Sequence, residues 1–512
     1  MMKNFIKNNW QIFFIEALVL LAFILFYGQY GDVNVDSFRE AYIPEQILSG
    51  QILYKNIFTI YAPFAYIFNA LLFLIFGIHL KTLYFAGLFS TLGIFYLVYK
   101  IARRFLDANL TLAICLFTIA GLVLSPNVFN PFFPYSYGLL YGVLFILLSI
   151  YCVINKQYSL SYLFYSFAIC SKYEFLFLLP ILIYAERKRT LHFNWKKNIP
   201  ALLIPIIISL IGIKGAGFGD ILTSMGLIIS MGAAKTLHWF YSSMGLCFRI
   251  ELLPIYLINL VKFIVPIYWV KYQEVIVWIM PVIAILFVLR YKKLNFSKKL
   301  FIFGTLLISA KVFCALTLQS YGVFFIPFAL ISLGILTPHK FRNILAILLL
   351  IWSIVIGGQN ISALSQKDVE VSTTRGVVKT SRYNGRALNK LIKHIESTDK
   401  NSKIVIYPEG LCANFLSNRD SDSKFYSLIP LYVETFGEDI IIKRLERIKP
   451  DYIIISDYDT SAYYYTRFGQ DYAMSVYDWI RNNYELETTI DGGMVFEVFK
   501  AAQQLSSSAA QK

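Results

Sequence analysis

"IFFIEALVLLAFILFYGQYGDVNVDSFREA" (residues 12–41) passes in one step from an apolar run holding the single charge of Glu16 to a segment carrying Asp32, Asp36, Arg39 and Glu40. The run is close to the length of a membrane span, and the charges that follow it would sit at the edge of the bilayer. Either that segment is a wet connector or one of its carboxylates performs chemistry at the membrane surface.

The rest of the chain favours a membrane setting. Of 512 residues, 57% are hydrophobic, 17% aromatic and 15% charged, where a soluble domain is about a quarter charged. The net charge of +16 is not spread like a nucleic-acid surface. Its lysines and arginines gather at the ends of apolar runs: Lys3 and Lys7, Arg103 and Arg104, Arg187 to Arg189, Arg290 to Lys293, Lys340 and Arg342. That is the pattern that marks cytoplasmic span ends, and it excludes nucleic acid as a partner. Cysteines 115, 152, 170, 247, 314 and 412 are widely spaced, so neither a zinc motif nor a disulfide framework emerges. The first apolar run lacks a small-residue cleavage pattern and reads as a retained anchor.

Starting from a cytoplasmic N-terminus, the first span exits near Gly28 and the return span is best placed at 82–100. The segment 28–81 is then a first outer loop. Two readings of its apolar run 61–77 stand: a surface or re-entrant helix, and a short span paired with the next. Further runs continue to about residue 358, some below span length, for about 11–13 membrane helices in all. The glycine-containing stretch 215–250 is a candidate cavity or gate element. Beyond Gln359 the composition turns polar. A helix is expected over 385–398, strands at 403–410, 451–458 and 492–499, and another helix at 471–484. The expected fold is therefore a polytopic α-helical membrane domain (1–358) followed by an extracytoplasmic α/β domain (359–500). A disordered tail (501–512) closes the chain.

Residues 36–77, "DSFREAYIPEQILSGQILYKNIFTIYAPFAYIFNALLFLIFG", resemble the first outer loop of the GT-C superfamily of polytopic glycosyltransferases. The similarity is greatest to the protein O-mannosyltransferase and aminoarabinose-transferase branch. Asp36, Gly50, Leu53–Tyr54, Tyr61–Ala62–Pro63 and Phe76–Gly77 stand where that branch has its acidic residue, turn and opening of an apolar run. The stretches 125–142 and 168–180 are similar to its next outer loop and to a broken helix carrying a lysine. The chain departs from the branch in having Ser37 after Asp36, where many members have a second acid, and one proline rather than two.

The resemblance implies an integral membrane glycosyltransferase, in a bacterial inner or plasma membrane, that draws its sugar from a polyprenyl phosphate. Asp36 is implied as catalytic base, with Asp32 as runner-up. A carboxylate takes the proton from an acceptor hydroxyl as its oxygen attacks the anomeric carbon. The phosphate already leaves readily, so one inverting displacement suffices without the glycosidase pair of carboxylates. Arg39, Lys55, Lys172, Lys235 and Arg249 are candidates to hold the donor phosphate. Tyr61, Glu174, His238 and Glu409 are candidate sugar or acceptor contacts, Glu409 because α/β sheets bind ligands at the carboxyl ends of their strands. Plainer readings exist for several: a mutual Lys172–Glu174 pair, a surface salt bridge for Arg39, and solvated loop charges for Glu40 and Glu45. Lys311, inside an apolar run, is expected to face a cavity. No nucleotide-binding loop or metal cluster is present in the sequence, so no cofactor is implied, and a divalent metal is compatible with one or two loop carboxylates without being required. The acceptor is a glycan, lipid or protein. A lipid-linked-saccharide flippase and a non-catalytic envelope assembly factor are the competing functions.

Overall fold

A computed structural model describes residues 2–34, 37–190, 194–221, 272, 275–314, 319–422 and 424–501. Through residue 365 it is helical: α1 (Met2–Leu25), α2 (Arg39–Leu48), α3 (Phe64–Phe76), α4 (Leu80–Ala102), α5 (Ala108–Thr118), α6 (Tyr137–Ile154), α7 (Tyr158–Ser171), α8 (Leu179–Thr190) and α9 (Trp195–Gly212). After the intervening stretch come α10 (Val275–Arg290), α11 (Phe296–Cys314), α12 (Ile326–Leu336) and α13 (Arg342–Ser365). Leu80–Ala102, Tyr137–Ile154, Trp195–Gly212 and His339–Ser365 are long and apolar enough to cross a membrane. Asn9–Leu25, Phe64–Phe76, Ala108–Val123 and Gly322–Leu336 are apolar but shorter.

Burial separates inner helices from outer ones. The apolar window of α4 is 67% buried and that of α6 61%, against 17% for α9 and 22% for the helix containing α13. Ile207, Ile211, Ile347, Ile351 and Ile354 therefore stand on exposed apolar faces. Contiguous apolar surface of that extent is stable only against lipid. This is a membrane protein.

The polar C-terminal part is a small α/β unit, as its composition predicts. A hairpin of β1 (Val369–Thr373) and β2 (Gly376–Thr380) comes first. Helix α14 (Arg382–Ser397) follows, then β3 (Ile404–Tyr407), α15 (Leu411–Ser417), α16 (Pro430–Phe436), α17 (Glu438–Ile448), β4 (Tyr452–Ser456), α18 (Met474–Asn483), β5 (Tyr484–Asp491) and β6 (Val495–Ala501). The main sheet has order β3-β4-β6-β5, with β3 parallel to β4 and the other pairs antiparallel. Strands β3 and β4 pair in parallel and are buried at every position, although β3 ends the sheet. Helix α14 lays Leu388, Leu391, Ile392 and Ile395 on one buried face, starting from the Ser381 hydroxyl as N-cap.

Two segments of this unit, the hairpin and the stretch around Ser421, sew it to the membrane part. Lys379 N–H donates to Gly28 O at 2.7 Å and Leu80 N–H donates to Arg375 O at 2.8 Å, so the hairpin bridges the two ends of the first outer loop. Tyr42 Oη accepts from Ser421 N–H at 3.1 Å. Arg375 pairs with Glu45 at 2.7 Å, lies over the Phe415 ring and hydrogen-bonds Asn418. Glu45 is thus a half-buried inter-domain ion partner rather than a solvated loop charge. Removing one partner of such a pair strands the other in a weakly hydrated place. Arg375→Ala is expected to cost about 2 kcal/mol, read as a lower unfolding midpoint in detergent and faster proteolysis near residue 366. Wild-type behaviour of both readouts would remove the pair as a clamp.

Candidate active site

The first outer loop is held by its backbone before it presents any side chain. Gly31 has φ +89°, and a Cβ there would run into the Phe133 ring, so this corner requires glycine. Tyr30 is buried; its hydroxyl donates to Ala22 O at 3.1 Å, and its carbonyl accepts from the Tyr84 hydroxyl at 2.9 Å. Asp32 follows Gly31. Its N–H donates to Ser37 Oγ at 3.0 Å, and its Oδ1 accepts from Asn34 N–H at 2.8 Å. That local bonding is typical of an aspartate heading a turn. Asp36, the expected base, lies outside the described residues, as do Lys235, His238 and Arg249 and most of the stretch 215–250. The side chain of Lys311 also lies outside them.

Behind the turn is a buried charge cluster. Glu40 is 1% exposed and Arg39 5% exposed, with 3.4 Å between them. Glu40 accepts from Tyr137 N–H at 3.0 Å and from the Tyr66 hydroxyl at 3.2 Å. Tyr137 opens α6, so the carboxylate caps a helix N-terminus, where negative charge is favoured. Burial nonetheless pushes the Glu40 carboxyl upward, with the Arg39 charge opposing it. The solvated-charge reading of Glu40 is therefore corrected: a loop that sequence hydropathy places in water packs under the C-terminal unit. Arg39 also donates to Tyr135 O at 2.9 Å and lies 4.3 Å from the centre of the Tyr61 ring. Tyr61 accepts at its carbonyl from Tyr54 Oη at 2.8 Å.

In front of the turn is a cavity of about 690 Å³. Four segments wall it: the loop Gly31–Asn34, the stretch Ser125–Phe129, the end of α13 with Gln359 and Asn360, and the start of α14 with Ser381 and Asn384. Leu122, Val323 and Ile356 are among its apolar lining residues. Asn130, fully buried, shapes the second wall: its amide donates to Val123 O at 2.7 Å and Ser125 O at 3.0 Å, and its carbonyl accepts from Phe132 N–H at 2.8 Å. Among the described lining residues Asp32 is the one carboxylate and Lys367 the one cation. Lys367 Nζ donates to Pro126 O at 2.9 Å and Gly31 O at 3.4 Å. Burial lowers its pKa from the ordinary 10.5, and the Asp32 charge opposes that shift.

The other expected site residues lie elsewhere. Lys172 follows α7 at the break before a short 3-10 turn and pairs with Glu174 at 3.3 Å, as the plainer reading has it. Lys55 is exposed. Glu409 follows β3 and accepts from the Ser427 hydroxyl at 2.6 Å, beside a small pocket that shares Val33, Asn34 and Asn384 with the main cavity. Sequence reasoning missed Lys367 and the amides of the cavity wall. Lys367 stands in the hinge between the last span and the first strand, where a lone lysine resembles any other span-end charge. The described residues contain no group of three or more His, Cys, Asp or Glu placed to hold a metal ion.

No protein-family model matches this sequence, and neither does any curated protein. Among solved structures, the chain is similar to an oligosaccharyltransferase of Archaeoglobus fulgidus tethered to an acceptor peptide. That match has 12% identity and a TM-score of 0.49 over 98% of this chain and 75% of the other. It is also similar to ArnT of Cupriavidus metallidurans bound to undecaprenyl phosphate, at 12% identity and a TM-score of 0.40 over 96% and 98% of the two chains. At that identity and score neither likeness assigns an activity.

Two outcomes are expected. Glu40→Ala removes the acceptor for Tyr137 N–H and the carboxylate beside Arg39, at a cost of about 3 kcal/mol in thermal stability. Glu40→Gln keeps one acceptor and costs less; equal midpoints for the two variants and wild type would contradict the cluster's role. After reductive methylation with a carbon-13 label, the Lys367 signal should titrate below the signals of the exposed dimethyl-lysines of the same protein. Because the Asp32 charge raises that pKa, Asp32→Asn should move it lower still, and an unmoved titration would show that the two do not interact.

Proposed function

We propose that this chain is a multi-pass membrane glycosyltransferase of the GT-C type, transferring a sugar from a polyprenyl-phosphate donor to an acceptor on the extracytoplasmic face. In this reading residues 1–358 form the catalytic membrane domain. The unit 359–500 lies outside the cytoplasm, of a bacterial inner or plasma membrane. The observation that carries the proposal is the cavity where the helix ends meet the outer unit, lined by both apolar and polar residues and bordered by the loop carboxylate of Asp32. Apolar lining suits an isoprenoid chain, and polar lining suits the sugar it carries.

The chemistry follows from those groups. A first-loop carboxylate accepts the proton of an acceptor hydroxyl while that oxygen forms its bond to the anomeric carbon. The bond from that carbon to the phosphate oxygen breaks, its electron pair leaves with the phosphate, and the centre inverts. Asp36 is the proposed base on the motif resemblance, and Asp32 is the alternative on the cavity wall. Lys367, the one cation among the described lining residues, is the proposed source of positive charge for the departing phosphate, whereas Arg39, Lys55 and Lys172 are not among the residues lining this cavity. A transporter of lipid-linked saccharide would also use such a cavity but has no need of a carboxylate fixed beside it.

Purified full-length protein is assayed for transfer from a polyprenyl-phosphate sugar. Asp36→Asn is expected to lower the rate by roughly 100- to 10,000-fold, the span of general-base catalysis. Full activity in that variant removes Asp36 as base, and loss in Asp32→Asn instead moves the role to Asp32. Wild-type protein that carries lipid across vesicles without transferring sugar overturns the enzyme reading.

A further inference from the structure

Four side chains on the cavity wall share one chemistry. The amides of Asn34, Asn127, Gln359 and Asn384 all line the cavity, and none makes a side-chain hydrogen bond among the described residues. They come from four different segments of the chain, so a single turn or cap motif does not account for them. The other lining amide is spoken for: Asn360 Nδ2 donates to Ala120 O at 2.8 Å.

A carboxamide offers two donors and one acceptor in a plane, which matches adjacent hydroxyls that each donate and accept. Charged groups select differently. An amino sugar or a uronate seated against this wall would want a carboxylate or a guanidinium in reach. The described wall has one carboxylate and one lysine, and these stand together on the Asp32 side, at the loop Gly31–Asn34. The other described polar side chains of the cavity, the Thr380 and Ser381 hydroxyls included, are neutral, and the Glu409 carboxylate, which lines the adjoining pocket with Asn34 and Asn384, is engaged by the Ser427 hydroxyl at 2.6 Å. At about 690 Å³ the cavity is also large enough for more than one sugar ring beside a lipid.

We infer that this wall is a binding site for an uncharged, hydroxyl-rich saccharide, with Asn34, Asn127, Gln359 and Asn384 as its specificity-determining residues. The inference deepens the glycosyltransferase reading by naming the sugar class as neutral. The ring bound there belongs either to the donor or to a glycan acceptor, and the chemistry of recognition is the same for both.

The test uses full-length protein in nanodiscs and saturation-transfer NMR. The probes are neutral methyl glycosides (mannoside, glucoside, galactoside), a methyl glucosaminide and a methyl glucuronide. Wild-type protein is expected to bind at least one neutral glycoside in preference to both charged ones. Gln359→Ala with Asn384→Ala should weaken that binding about tenfold, the loss expected for two hydrogen bonds. The unfolding midpoint should stay near wild type, because neither amide holds another part of the protein. Asn384→Asp should shift preference toward the glucosaminide, a change that mere structural damage would not produce. Preferred binding of a charged glycoside, or neutral binding unmoved in the double variant, overturns the inference. Displacement of the neutral glycoside by undecaprenyl-phosphate glucose assigns the ring to the donor, and retention assigns it to the acceptor. Glycoside binding is read without turnover. A protein that binds neutral glycosides through these amides but transfers nothing keeps this inference while losing the enzyme reading, and a transferase indifferent to them does the reverse.

Discussion

The carboxylate of Glu40, taken out of water at the first turn of α6, is the constraint around which the outer half of the molecule is arranged. A buried charge is tolerated only when its oxygens are satisfied and a counter-charge is near. Glu40 meets both conditions through Tyr137 N–H, the Tyr66 hydroxyl and Arg39. Those partners belong to α6, α3 and α2, so satisfying one side chain fixes the relative positions of three helices. The loop carrying Asp32 leads directly into α2. Its position against the cavity follows from a bond network several residues away.

The same logic runs through the roof. Asp422 is fully buried as a side chain and is held by a two-pronged contact from Arg444, at 2.7 and 3.1 Å. The neighbouring Ser421 backbone reaches Tyr42 on α2. Planar guanidinium–carboxylate pairing tolerates little rotation, which gives the outer unit a defined seat on α2.

Much of this was legible in the sequence where one periodicity or one composition dominates. Strands β3 and β4 are continuous apolar runs, and α14 has an apolar stripe at helical spacing; both stand as read. Strand β5, "YELETTID" (484–491), was not legible, because it buries mainly Tyr484 and Ile490 and keeps its charges exposed, whereas β3 at the other end of the sheet is buried throughout. The hairpin β1–β2 is hidden for a related reason: Val371 and Val378 are the well-buried apolar residues of its two short strands. The candidate site divides in the same way. A carboxylate after the first span announces itself by charge contrast. Glu40 and Glu45 carry the same contrast, yet their burial depends on partners such as Arg375, more than 300 residues away. Nothing local in the chain encodes that. Asparagine and glutamine are likewise anonymous in sequence, and their meaning here comes from four remote segments meeting at one wall.

The bridge from Gly28 to Lys379 and from Leu80 to Arg375 has a consequence for biosynthesis. Contacts of such sequence separation form late, because the intervening chain must be made and closed first. A nascent chain halted before β2 has the membrane-side wall of the cavity and the Asp32 loop, but no hairpin to hold the loop's two ends. Thr380, Ser381 and Asn384 are then missing from the opposite wall. Completion of the cavity is thereby tied to arrival of the last quarter of the protein. A truncated product left in the membrane would be a helical bundle with that cavity unfinished.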